Sequence, residues 1–176
     1  LVDALAASGK KDLTIISNDL GSPGIGLGQL MSNHQVKKLI GSHYNKNPMA
    51  IEAYNAGEIE IQLLPQGTFA EAIRAGGMGI PAFYTPTGVG TTLAEGKEER
   101  IFDGRTYILE RALHADFALV KAQTADKMGN LIYHAAARNF NPMMAIAAAC
   151  TIAQVDEVVE VGALKPDTII TPHIVV

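Results

Sequence analysis

The chain has 176 residues, 48% of them hydrophobic, with 14 basic and 18 acidic side chains and a formal net charge of −4. That length suits one domain able to bury about 70% of its unfolded surface. No apolar run reaches the ~20 residues of a membrane span, the basic residues are too scattered for a nucleic-acid footprint, and the lone Cys150 excludes an internal disulfide and fits a reducing, cytoplasmic compartment.

The sequence opens at Leu1, without Met, already inside an apolar helical pattern. Residues 13–17 are a short β-rich run closed by Ser17-Asn18-Asp19, and a Gly-rich loop follows to Gly28. Residues 36–40 are a second apolar run, ending at Gly41-Ser42-His43. Residues 48–56 read as a helix, with Pro48 in its first turn and Gly57 after it. Residues 59–64 read as a buried strand. Thr68 and Glu71 then have capping-box spacing, which predicts a helix from Phe69 to a stop at Gly76-Gly77.

Pro81, Pro86, Gly88 and Gly90 make 81–90 an irregular surface loop. Residues 100–102 and 106–109, joined across Asp103-Gly104, read as a hairpin. Residues 117–121 are a predicted buried strand, and Met128-Gly129-Asn130 turns into 131–135. Asn141 as N-cap and Pro142 at the first position open a helix through Ala149, which makes Cys150 a small core residue. Residues 152–155 and 168–170 are late strands, and Ile174-Val175-Val176 reads as a strand cut short. Apolar runs alternating with helical segments predict an α/β fold, an open, largely parallel sheet flanked by helices.

Four features bear on chemistry. Gln66 stands where a strand passes into a helix, the place where open α/β sheets bind ligands. Its amide can donate to an oxygen that becomes negative, or it is a turn residue facing water. Gly24-Ile25-Gly26-Leu27-Gly28 lacks the third glycine of a dinucleotide fingerprint, because Gln29 occupies that place. It is a loop where backbone approaches either a ligand or neighbouring backbone. The histidines His34, His43, His114, His134 and His173 have no metal-site spacing, so no metal is expected. Among the carboxylates, Glu71 belongs to the capping box, Glu95, Glu98 and Glu99 to a solvated run, and Glu110, beside Arg111, to an ion pair or an active site. No Gly-x-Ser-x-Gly elbow and no Gly-Lys-Ser/Thr phosphate loop occurs.

The run PQGTFAEAIRAGGMGIPAFYTPTGVGT resembles the alpha (A) subunit of the two-subunit family I CoA-transferases, the acetate, acetoacetate, butyrate and succinyl group. The likeness continues upstream through LTIISND, GIGLGQLM and VKKLIGSH, and downstream through ADFALVKAQTADKMGNLIYHAAARNFNP to DTIITPHIVV. It implies a CoA-transferase fold, related to sugar-phosphate isomerase folds, in one domain over 1–176 that lacks its N-terminal segment and last residues. The family's alpha-subunit signature, Gly-Gly-Phe with a spaced Gly-x-Pro, is missing here and would precede Leu1.

The resemblance also implies a ping-pong exchange of CoA between a short-chain acyl-CoA and a free carboxylic acid. Its glutamate nucleophile lies in a Ser-Glu-Asn-Gly motif of the beta subunit, and this chain has no Glu-Asn-Gly. The implied partners are that beta subunit, in an α2β2 or larger hetero-oligomer, acyl-CoA and short-chain acids, with no nucleic acid or membrane. CoA is a substrate, and no cofactor is implied. Gln66 is the implied catalytic donor, with Asn18, Gly24, Gly26, Gly67, Thr87 and Gly88 lining the substrate site. The alternatives are a sugar-phosphate isomerase-like enzyme, which wants a basic phosphate cluster, and a non-catalytic nucleotide- or acyl-CoA-binding module.

Overall fold

The computed structural model describes residues 1–175. They divide into two compact units, Leu1–Phe69 with Gly90–Glu95, and Ala70–Val89 with the residues from Gly96 onward. No helix among the described residues is long and apolar enough to cross a membrane.

In the first unit α1 (Val2–Ala7), β1 (Leu13–Ile16), α2 (Gly28–Ser32), β2 (Val36–Gly41), α3 (Pro48–Asn55) and β3 (Glu60–Leu63) alternate along the chain. The strands form one parallel sheet in the order β1-β2-β3, with Ile15 opposite Leu39 and Leu39 opposite Ile61. Leu30 and Met31 of α2, Ala50 of α3 and Leu39 of β2 share its buried core. Asn47 caps α3 through its side-chain oxygen, which accepts from Ala50 N at 3.3 Å, and Pro48 holds the first helical position. Gln35 is buried but satisfied, with Nε2 donating to Lys10 O at 2.9 Å and Oε1 accepting from Asn33 at 3.0 Å. The strand expected to be buried at 59–64 is an edge strand. Ile59 and Leu64 at its flanks are buried, while Glu60, Gln62 and Leu63 are exposed, because only one side of β3 has a neighbouring strand.

α4 (Gln66–Gly77) follows directly. The second unit then adds β4 (Ala82–Thr85), β5 (Glu99–Phe102), β6 (Arg105–Arg111), β7 (Ala115–Lys121), β8 (Thr124–Asp126), β9 (Leu131–Ile132), α5 (Asn141–Ile146), β10 (Ala148–Gln154) and β11 (Glu157–Val159). β4, β6 and β5 are antiparallel in that order. The expected hairpin is present, and Asp103 (φ 49°) and Gly104 (φ 76°) both take the left-handed conformation that a two-residue hairpin turn requires. β7 pairs with β10 and β8 with β11, both in parallel, and β9 runs antiparallel to β8. Parallel pairing thus predominates, as the alternating pattern predicts.

Six local expectations are corrected. Residues 82–85, read as loop, are β4. Asn141 is not an N-cap: Phe140 holds that position, while Asn141 Oδ1 accepts from Lys121 N at 3.0 Å and Nδ2 donates to Ala137 O at 2.9 Å. Its helix stops at Ile146 because the alanine-rich continuation pairs with β7 as β10, tertiary pairing overriding helix propensity. Cys150 is therefore an exposed strand residue, opposite Phe117, which is also exposed, so that only alternate residues of β7 such as Ala118 and Val120 are buried. The late strand expected at 168–170 is a 3₁₀ turn over Pro166–Thr168, followed by one bridge between Thr171 and Leu131. His173–Val175 is likewise a 3₁₀ turn, and Val176 of the expected final strand lies outside the described residues.

Candidate active site

All three strands of the first unit run in parallel, so their carboxyl ends share one edge. Asn18 follows β1, Ser42 and His43 follow β2, and Gln66 follows β3. Adjacent strands lie ~4.8 Å apart, which separates the β1 and β3 ends by about 9–10 Å. Gly41 lets the edge close: a Cβ there would collide with the Ser17 carbonyl and the Tyr44 hydroxyl.

Asn18 is the knot of this edge. Its carbonyl accepts from Ser42 N at 3.2 Å and His43 N at 3.3 Å. The Ser42 hydroxyl lies 2.6 Å from Asn18 Oδ1 and 3.0 Å from His43 Nδ1, and His43 Nε2 lies 3.5 Å from Asp19 Oδ2. Asp19 Oδ1 accepts from Gly21 N at 2.8 Å. Tyr44 donates its hydroxyl to Ser17 O at 3.2 Å, and burial, with the Asp19 charge, raises its pKa above the ordinary tyrosine value, so it remains a donor. The loop after β1 encloses an open depression of about 350 Å³, lined by Ser17, Asp19, Leu20, Gly21, Ile25 and Gly26 among others. Gly24 (φ 74°) and Gly26 (φ 54°) are exposed, and a Cβ on either meets nothing, so turn conformation explains them; of the three glycines in Gly24–Gly28, it is Gly28 that packs closely on backbone, against the Ser22 carbonyl.

Gln66 and Gly67 are exposed at the first positions of α4, whose opening bond runs from Phe69 N to Pro65 O at 2.8 Å. The helix therefore begins three residues before the predicted start, and the capping box is absent. Thr68 lies inside the first turn, 4% exposed, with no partner for its hydroxyl among the described residues. Glu71 instead forms a two-pronged pair with Arg74, at 2.9 and 2.6 Å, and hydrogen bonding from that guanidinium lowers its carboxyl pKa. The pair wins because i,i+3 side chains share a helix face.

Thr87 and Gly88 belong to the second unit, in the turn after β4, where Thr87 N donates to Thr85 Oγ1 at 3.2 Å and Gly88 has φ 93°. Glu110 is an ion-pair residue, with Lys97 Nζ 2.6 Å from its Oε1. Glu98 accepts from the Tyr84 hydroxyl at 2.6 Å. No group of three or more His, Cys, Asp or Glu side chains able to hold a metal ion occurs among the described residues.

Sequence reading singled out Asn18 and Gln66 at this edge and missed Ser42, His43 and Asp19 as a connected group. The available signal was the position of Ser42-His43 at the end of β2, one strand over from Asn18. Chemically, the edge offers neutral amide donors for an electron-rich oxygen. Asp19 is its carboxylate, and one oxygen of that group is already held by a backbone N–H.

This is the α/β class in which ligands meet the carboxyl ends of parallel strands. A profile of the coenzyme A transferase family matches residues 1–176. The chain is 53% identical over its whole length, covering 74% of the relative, to the A-type chain of a probable succinyl-CoA:3-ketoacid coenzyme A transferase of Bacillus subtilis. It is 49% identical, again over its whole length and covering 80% of the relative, to the alpha subunit of the acetate CoA-transferase of Escherichia coli. Its fold superposes on an acyl-CoA transferase of Escherichia coli O157:H7 with a TM-score of 0.87 at 22% identity, the whole chain spanning 40% of that structure's length. The chain belongs to the coenzyme A transferase family.

Proposed function

We propose that this chain is the alpha subunit of a cytoplasmic CoA-transferase that moves CoA between a short-chain acyl-CoA and a free acid of the acetate, acetoacetate or butyrate type. One observation carries the reading. The chain is about half identical, end to end, to proteins named as the alpha-type chains of such enzymes, yet its sequence contains no Glu-Asn-Gly nucleophile motif. The nucleophile is then a glutamate of a beta subunit, in an α2β2 or larger assembly.

That glutamate attacks the acyl-CoA carbonyl and expels CoA thiolate, leaving a mixed anhydride. The thiolate attacks the glutamyl carbonyl, releases the first acid as its carboxylate and leaves a glutamyl-CoA thioester. The second acid reverses both steps with its own acyl group. Each attack passes through a tetrahedral oxyanion that needs fixed donors. Gln66, exposed at the start of α4, supplies one from its side-chain amide, and the positive end of the helix adds to it. Asn18 supplies a second polar contact. The backbone at Gly24, Gly26 and Gly67 contacts substrate. CoA is a substrate, and the scheme needs no metal or organic cofactor.

The test is acyl-CoA exchange, with acetyl-CoA as donor and a panel of short-chain acids. This chain purified with its beta subunit should turn over, and the chain alone should not. Substantial turnover by the isolated chain overturns the two-subunit reading.

A further inference from the structure

Sequence and resemblance assign no role to Ser42, which lies 24 residues from Asn18 yet touches it through both backbone and side chain. A hydroxyl carries one proton, and three polar atoms surround Ser42 Oγ: Asn18 Oδ1 at 2.6 Å, Asn18 O at 3.2 Å and His43 Nδ1 at 3.0 Å. The shortest separation identifies Asn18 Oδ1 as the acceptor. His43 Nδ1 is the ring atom in contact with the same hydroxyl oxygen, at 3.0 Å. The far side of the ring faces Asp19, whose other oxygen is held by Gly21 N. A row of side chains thus runs Asp19, His43, Ser42, Asn18 along the ends of β1 and β2.

An asparagine amide has two faces, and rotation about its last bond exchanges acceptor for donor. Anchoring Oδ1 on a hydroxyl proton removes that freedom. It also leaves Nδ2, with both of its N–H donors, without a hydrogen bond among the described residues. The backbone of Asn18 is held separately by Ser42 N and His43 N, so its place does not rest on the Ser42 hydroxyl alone, whereas the side-chain oxygen has that hydroxyl as its donor.

We propose that Ser42 is a positioning residue for the transferase reaction: its hydroxyl, backed by His43, fixes the Asn18 amide so that Nδ2 donates to the acyl or carboxylate oxygen of the substrate. The proposal rests on the reading of Asn18 as a substrate contact. Orientation errors of this kind cost more in the transition state than in the ground state, so the effect belongs in kcat rather than KM.

The experiment uses the complete enzyme, this chain with its beta subunit, and acetyl-CoA with acetoacetate. Ser42→Ala should lower kcat about 10–100-fold, with KM and melting temperature little changed. Ser42→Cys keeps the volume but donates weakly, and it should show the same loss, so a folding defect in the alanine variant does not block the test. Ser42→Thr keeps the hydroxyl and should recover most of the rate. The decisive readout is the double variant. On an Asn18→Ala background, Ser42→Ala should cost nothing further, because the group it positions is gone. An unchanged kcat in Ser42→Ala and Ser42→Cys, or the same loss with and without Asn18, overturns the positioning role while leaving the Asn18 contact intact. If Asn18→Ala turns over like wild type while Gln66→Ala is slow, Asn18 is no substrate contact and the proposal falls, with the Gln66 reading still standing.

Discussion

Thr68 gives the sharpest stability prediction, because two accounts of it differ in sign. As the cap of a capping box, its hydroxyl would hold a helix N–H, and removing it would cost about 0.5–2 kcal/mol. In the structure Thr68 is 4% exposed inside the first turn of α4, and its hydroxyl has no partner among the described residues. Burying such a group without a hydrogen bond costs about 1–3 kcal/mol by protein mutational measures. Thr68→Val replaces the hydroxyl by a methyl of similar size. Both residues are β-branched, so the helix propensity term nearly cancels. The variant should therefore be more stable by about 1–3 kcal/mol. In a chain of this size each kcal/mol raises the melting temperature by about 2–4 °C. Thr68→Ala should fall below Thr68→Val, because it also loses a buried methyl, about 1 kcal/mol. Thermal melts of the complete enzyme at one scan rate read the difference. A Thr68→Val melting temperature below wild type would refute the reasoning and show that the hydroxyl is bonded in the working assembly.

Three further outcomes follow from the geometry. Gln66→Ala should lower kcat of the complete enzyme about 10²–10³-fold with a smaller change in KM; wild-type turnover at equal folding and association would make Gln66 a turn residue. Lys97→Met leaves the Glu110 carboxylate, 7% exposed, without its cation and should cost about 3 kcal/mol, whereas Glu110→Gln leaves an ammonium 26% exposed and should cost less; denaturant melts that reverse this order would show that the pair is not the main interaction. Asp126 accepts from Asn130 Nδ2 at 2.7 Å and from the backbone of Met128 and Asn130, and those bonds, the Asn130 side chain first, lower its pKa. A lowered folded-state value means that its stabilisation is complete above the unfolded value near pH 4 and is lost as pH falls below it. Melts between pH 6 and pH 3 should therefore show a smaller acid-side decline in Asp126→Asn than in wild type, and parallel curves would contradict the assignment.

What the sequence disclosed and what it hid divide along the range of the interactions. The hairpin at Asp103-Gly104 and the helix at Pro48 are written in local chemistry, two left-handed turn positions in one case and a proline at the first helical position in the other, and both were legible. The place of Gln66 at the passage from β3 into α4 was legible for the same reason, although the helix starts earlier, at Gln66 itself, because Pro65 O accepts its first bond. β10 was not, because its alanine-rich start favours helix and only the partner strand β7, more than 30 residues earlier in the register Cys150 to Phe117, makes it a strand. The capping box failed against a local competitor, Arg74, that takes Glu71 away. Ser42 went unassigned because the partner that gives it a role, Asn18, comes from a different strand end.

The central claim is that this chain furnishes one half of a site whose nucleophile belongs to another polypeptide. Covalent mapping tests it most directly. The complete enzyme is incubated with acyl-CoA, the resulting glutamyl thioester is reduced with borohydride, and peptides of both chains are mapped by mass. The account predicts a reduced glutamate on the beta subunit, with this chain unmodified. A modified Glu71, Glu95 or Glu110 would contradict it and place the nucleophile in this chain.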